Sequence, residues 1–70
     1  MLSDSHIAIL RTLIKADAPF ILEELAGTAS ISFEAAWYAV LELIELQLMT
    51  VAGIGLYQLT SQGQRIARQV

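Results

Sequence analysis

Apolar residues recur at helical spacing through most of the chain and give way to short β-prone runs near its end. Between Ser5 and Asp17, Ile7, Leu10, Leu13 and Ile14 fall three or four residues apart, and Ser3, Asp4 and Ser5 each offer an oxygen for an N-cap. Asp17-Ala18-Pro19 should end this first helix, because proline cannot donate to the ladder and turns the residue before it away from helical torsions. A short second helix is expected over about Phe20 to Thr28, with Leu22, Leu25 and Ala26 facing inward. Gly27-Thr28-Ala29-Ser30 reads as a turn, and Ser32 is placed to cap a third helix with Glu34 near its positive end. That helix is the longest, running from about Phe33 to Leu48, with Ala36, Val40, Leu43 and Leu46 or Gln47 along one side.

Thr50-Val51-Ala52 and Leu56-Tyr57-Gln58-Leu59 flank Gly53-Ile54-Gly55, which predicts a small hairpin with glycine supplying the turn conformations. Thr60 or Ser61 can then cap a last helix from Gln62 to Gln69. No repeat or linker interrupts the pattern, so residues 1–70 are expected to form a single domain, mainly α with a small β-hairpin.

Composition narrows the class. The chain is 56% apolar and only 16% charged, too apolar for disorder. At 70 residues a fold buries only about 60% of the surface its unfolded chain exposes, so some apolar surface should be left over. There is no cysteine, hence no disulfide and no thiolate metal site, and an apolar core or a partner subunit must supply the stability. Charged residues interrupt every apolar run well short of the roughly 18 residues a membrane span needs. Met1-Leu2-Ser3-Asp4 lacks the basic start and apolar run of a secretory signal, so a cytoplasmic location and no membrane partner are expected.

Three helices, a glycine hairpin and a closing helix together resemble a winged helix-turn-helix domain, and the local sequence does so as well. Leu25-Ala26-Gly27-Thr28-Ala29-Ser30-Ile31-Ser32 is similar to the turn between helices 2 and 3 of MarR-like and PadR-like regulators. In those proteins a small residue packs one helix on the other, which the resemblance assigns here to Ala26 and Ala36. Leu43-Ile44-Glu45-Leu46-Gln47-Leu48-Met49 is similar to the end of their third helix. The most specific match is Tyr57-Gln58-Leu59-Thr60-Ser61-Gln62-Gly63, which resembles their strand entering the closing turn. The resemblance covers nearly the whole chain and implies a transcription regulator that contacts DNA as a dimer. Ser30 and Gln47 depart from it, standing where the family often has glycine.

The chemistry of the residues points elsewhere. Nucleic-acid binding draws most of its affinity from cations on phosphates, and this chain carries a net charge of −3 with four cations, Arg11, Lys15, Arg65 and Arg68. With Ala36, Val40 and Leu43 inward, the third helix turns Glu34, Ala35, Trp37, Tyr38, Leu41 and Glu42 outward. Bases are read by Arg, Lys, Asn and Gln, and this face has none of them. Gly53-Ile54-Gly55 brings no cation to a minor groove and lacks the lysine of a phosphate cradle.

Two functions of different class follow. One is a protein-interaction module that docks on itself or on a partner through Trp37, Tyr38 and Leu41, with Glu34 and Glu42 beside them. The other is a DNA-binding dimer whose phosphate contacts are Arg11 and Lys15 on the first helix and Arg65 and Arg68 on the last. Trp37 and Tyr38 lie about 100° apart around the helix, so both can be core fillers or at least one can be exposed, and the second is expected.

Catalysis finds no support, because no nucleophile, base and orienting group share a recognisable spacing. His6, the lone histidine, is expected at the surface or in a local hydrogen bond. Glu34, Glu42 and Glu45 read as a solvated face that no second helix meets with His or Asp, and Glu23-Glu24 as a surface pair. The four cations are expected in local ion pairs, such as with Asp17 or Glu24. No metal, cofactor or small-molecule site is expected.

Overall fold

The computed structural model describes residues 2–70. Helix α1 (Asp4–Ala16) leads through a two-residue strand β1 (Phe20–Ile21) into α2 (Leu22–Ala29) and α3 (Phe33–Glu45). Strands β2 (Met49–Gly53) and β3 (Leu56–Leu59) form the hairpin, and α4 (Ser61–Ala67) closes the chain. The sheet is antiparallel in the order β1-β3-β2, with Phe20 opposite Tyr57 and Met49 opposite Leu59. A bulge at Ala52 lets Gly53 face Leu56, and Gly55 takes the left-handed conformation that the tight turn requires.

Amphipathic spacing accounts for the core. Ile9, Leu10 and Leu13 of α1 meet Leu25 and Ala26 of α2 and Ala36, Ala39, Val40 and Leu43 of α3, while Met49, Leu59 and Ala67 close the base. Ala26 and Ala36 are both buried, which lets α2 and α3 approach closely. Removing a large member such as Leu10 or Leu43 to alanine would cost about 2–5 kcal/mol. Ile7 and Ile14 are only half-buried, and Ile9 takes the inner place between them.

Helix starts follow their caps. Ser3, Ser32 and Thr60 each accept a hydrogen bond from the amide three residues on, so of the alternatives at each end it is Ser3 and Thr60 that cap α1 and α4. Helix ends are less ordinary. Asp17, Ser30 and Gln47 all take positive φ, at 51°, 59° and 64°, and none is glycine. The Ile31 amide donates to Ala26 and that of Ser30 to Gly27, while the Leu48 amide donates to Leu43 and that of Gln47 to Ile44. Both are Schellman ends, which reverse the chain while satisfying the last carbonyls. Ser30 and Gln47 therefore make the tight turns without glycine.

Several predicted boundaries move. Phe20 and Ile21 do not begin α2, because the chain leaving Pro19 is extended and finds an open strand edge at Tyr57 and Leu56. Helix α3 stops at Glu45, short of the expected Leu48: Gln47 reverses the chain and Leu46 is left exposed, so neither lines the core. The last helix, expected over Gln62 to Gln69, starts one residue earlier and ends two earlier, at Ser61–Ala67.

Candidate functional site

The inward set of α3 fixes what its other side displays. At 100° per residue, Glu34, Tyr38, Leu41 and Glu45 share one stripe along the helix, with Trp37 beside it. All five are exposed, and Phe33 at the first turn joins them. The fractions left to solvent are large for such side chains: 55% for Phe33, 40% for Trp37, 60% for Tyr38 and 44% for Leu41. Neither Trp37 nor Tyr38 is a core filler. The face thus has an aromatic centre, a carboxylate toward each end and no cation. Ala35, expected on the outward side, is half-buried.

Glu42 sits at the edge of this face and does not behave as a free surface carboxylate. His6 is buried, not at the surface, and its Nε2 lies 2.8 Å from Glu42 Oε1. The Ser3 amide donates to His6 Nδ1 at 2.8 Å, which leaves that nitrogen a lone-pair acceptor. The neutral ring then carries its proton on Nε2 and donates it to Glu42. The His6 amide in turn donates to Ser3 Oγ, closing a capping box in which histidine takes the usual place of glutamate. One side chain caps α1 and ties it to α3, so a neighbouring helix does bring a histidine to the acidic face. The signal for the cap was present in the Ser3-to-His6 spacing; the partner 36 residues away had none.

The cations are separate from α3. Arg11 and Lys15 stand on α1, one turn apart, and Arg65 and Arg68 at the end of α4, all exposed. Among the described residues the one ion-pair contact is His6–Glu42, so the expected pairing of these cations with Asp17 or Glu24 does not form. Arg11, Thr12, Lys15 and Ala16 line a cleft of about 520 Å³ with Phe20 of β1 and Thr28 of α2. Phe20 lines it where β1 replaces the expected first turn of α2, so this cleft was not legible in the apolar spacing. The wing carries a fully exposed Ile54 and no cation.

Among the described residues no three His, Cys, Asp or Glu side chains are grouped to hold a metal ion. Nor, among them, is any helix long and apolar enough to cross a membrane.

No family model matches the chain, and no curated protein does. A solved structure, the crystal structure of T. acidophilum IdeR, superposes with a TM-score of 0.77 at 19% identity. The likeness covers 99% of this chain and 32% of that one, so the chain spans about a third of its length. At that identity the match carries the fold alone, and it does not single out MarR-like or PadR-like proteins. The architecture of the chain is that of a winged helix, mainly helical with a small three-stranded antiparallel sheet.

Proposed function

We propose that the chain is a non-catalytic, regulatory winged-helix module that acts through protein contacts of its exposed α3 face. The observation that carries this reading is the stripe of Trp37, Tyr38 and Leu41, exposed between Glu34 and Glu45 with no cation among them. Exposed aromatic residues at the centre of a patch with a charged rim are the usual make-up of a protein contact. A carboxylate-bearing helix brought into a major groove would instead meet phosphates of its own sign.

The test is a photocrosslinker, benzoylphenylalanine, placed at Tyr38 and, as a control, at Ile54 in the producing cell. Protein adducts should form from position 38 and disappear when Trp37→Ala is added. Adducts to DNA alone, or equal adducts from both positions, would remove the reading.

A second reading is favoured by the likeness to a winged-helix regulator: a DNA-binding dimer whose phosphate contacts are Arg11, Lys15, Arg65 and Arg68. Pairing would double the few cations and match two half-sites. It requires binding to duplex DNA that falls steeply with salt and weakens on Arg11→Ala or Arg65→Ala. Binding that ignores salt, or none at low salt, excludes it.

A further inference from the structure

We propose that the α3 face of one copy of this chain seats in the Arg11–Lys15 cleft of a second copy, in a head-to-tail contact. The inference rests on reading α3 as a protein-contact face and names its occupant. Each surface has what the other lacks. The α3 face is an aromatic centre with Glu34 and Glu45 toward its ends, and the cleft is lined by Phe20 and Ala16 together with Thr12, Thr28 and the cations Arg11 and Lys15. Neither cation is held by a carboxylate among the described residues, so both are free to take one from outside.

Charge selects this pairing over a symmetric one. Two α3 faces laid together would oppose Glu34 and Glu45 with no cation to offset them, whereas α3 against the cleft sets opposite charges around an apolar contact. Glu34 and Glu45 lie eleven residues apart, about 16 Å along α3, and Arg11 and Lys15 about 6 Å along α1, so one end of the acidic stripe meets the basic pair. The cleft, at about 520 Å³, has room for the Trp37 indole against Phe20. No residue belongs to both surfaces, so every copy offers one of each, and the contact is heterologous: it grows or closes into a ring.

The contact is weak. The exposed parts of Phe33, Trp37, Tyr38 and Leu41 come to roughly 400 Å², taking aromatic side chains at 150–250 Å² each. A stable interface buries about 800 Å² per partner, so association belongs at micromolar to millimolar concentration.

Mixing variants tests it. Sedimentation equilibrium is run from about 10 μM to about 2 mM, a range set by that weak affinity, on four samples. They are the unaltered chain, Trp37→Ala/Tyr38→Ala, Arg11→Glu/Lys15→Glu, and an equimolar mixture of the two variants. All four altered positions are exposed, and far-UV circular dichroism checks that each variant folds. The unaltered chain should rise beyond a dimer with concentration, and each variant alone should stay monomeric. The mixture should form a one-to-one dimer and stop there, because one intact α3 face and one intact cleft remain. An unaltered chain that stays monomeric, or a mixture that does not pair, overturns the inference. If the purified chain is monomeric while position 38 still crosslinks to protein in cells, the occupant is wrong and the α3 reading stands.

Discussion

The same substitution, glycine to alanine inside a helix, should have opposite signs at Gly27 and Gly63. Alanine is favoured over glycine in a helix by about 0.8–1 kcal/mol. At Gly27, in α2, a new Cβ meets nothing within 4 Å, so Gly27→Ala should stabilise the fold by about 0.5–1 kcal/mol. At Gly63, in the first turn of α4, a Cβ would lie 2.9 Å from the carbonyl carbon of Leu48 and nearer still to its oxygen. Carbon pairs pack at about 3.5–4 Å, so α4 must move away from the turn between α3 and β2.

That movement pulls on three hydrogen bonds. The Thr60 amide donates to Leu48 at 3.1 Å, Thr60 Oγ1 donates to the Gln47 carbonyl at 2.7 Å, and the Gly63 amide donates to Thr60 Oγ1 at 3.0 Å. Overpacking of this kind costs about 1–3 kcal/mol and each strained hydrogen bond about 1 kcal/mol. Less the helical gain, Gly63→Ala should lose about 3–5 kcal/mol, a large share of the roughly 4–10 kcal/mol that a chain of this size holds. Urea titrations followed by circular dichroism give both values at 25 °C. If Gly63→Ala leaves the midpoint unchanged or raises it as Gly27→Ala does, the close approach of α4 to Leu48 is wrong.

Other expectations are smaller. Ser30→Gly and Gln47→Gly should each stabilise by about 0.5–1 kcal/mol, since a left-handed torsion costs a residue with a Cβ roughly 1–2 kcal/mol and glycine returns part of that as chain entropy; a lower thermal midpoint for both would contradict the two Schellman ends. His6→Ala should cost about 1–2 kcal/mol through the lost cap and the lost tie to α3. In a double-mutant cycle with Glu42→Ala the coupling should be only about 0.5–1 kcal/mol, because Glu42 is largely exposed, and a coupling of zero would show that the pair does not form in solution. Thr60→Val, similar in volume but without the hydroxyl, should cost about 1–2 kcal/mol in the same urea titration, and no loss would mean that Thr60 does not tie α4 to Gln47.

Much of the fold was legible because local rules decide it. Helical spacing of apolar residues, Ser and Thr caps, Pro19 and the glycine hairpin place four helices and two strands to within a few residues. What escaped depends on residues far apart in sequence. Phe20 and Ile21 are as suited to a first helical turn as to a strand, and the free edge of β3, more than thirty residues on, decides for strand. Leu46 and Gln47 continue the apolar spacing of α3, yet the Leu48 carbonyl is taken by Thr60, so the helix must already have turned back. The acidic character of the α3 face could be read directly, while the hold of His6 on Glu42 and the cleft around Phe20 exist only once α1 has packed on its neighbours.

The segments on which the sequence resemblance rests are the ones that make the turns. Ala26 and Ala36 let α2 meet α3, and Leu59-Thr60-Ser61-Gln62-Gly63 locks α4 against the end of α3, so both serve the scaffold and say nothing of a ligand. The outward side of α3 is under no such constraint. Lysine, glutamine or glutamate at positions 37, 38 and 41 would favour the helix at least as well and spare the chain three exposed apolar side chains. Since folding does not require Trp37, Tyr38 and Leu41 to be apolar, their exposure between carboxylates is the feature on which the proposed protein contact stands or falls.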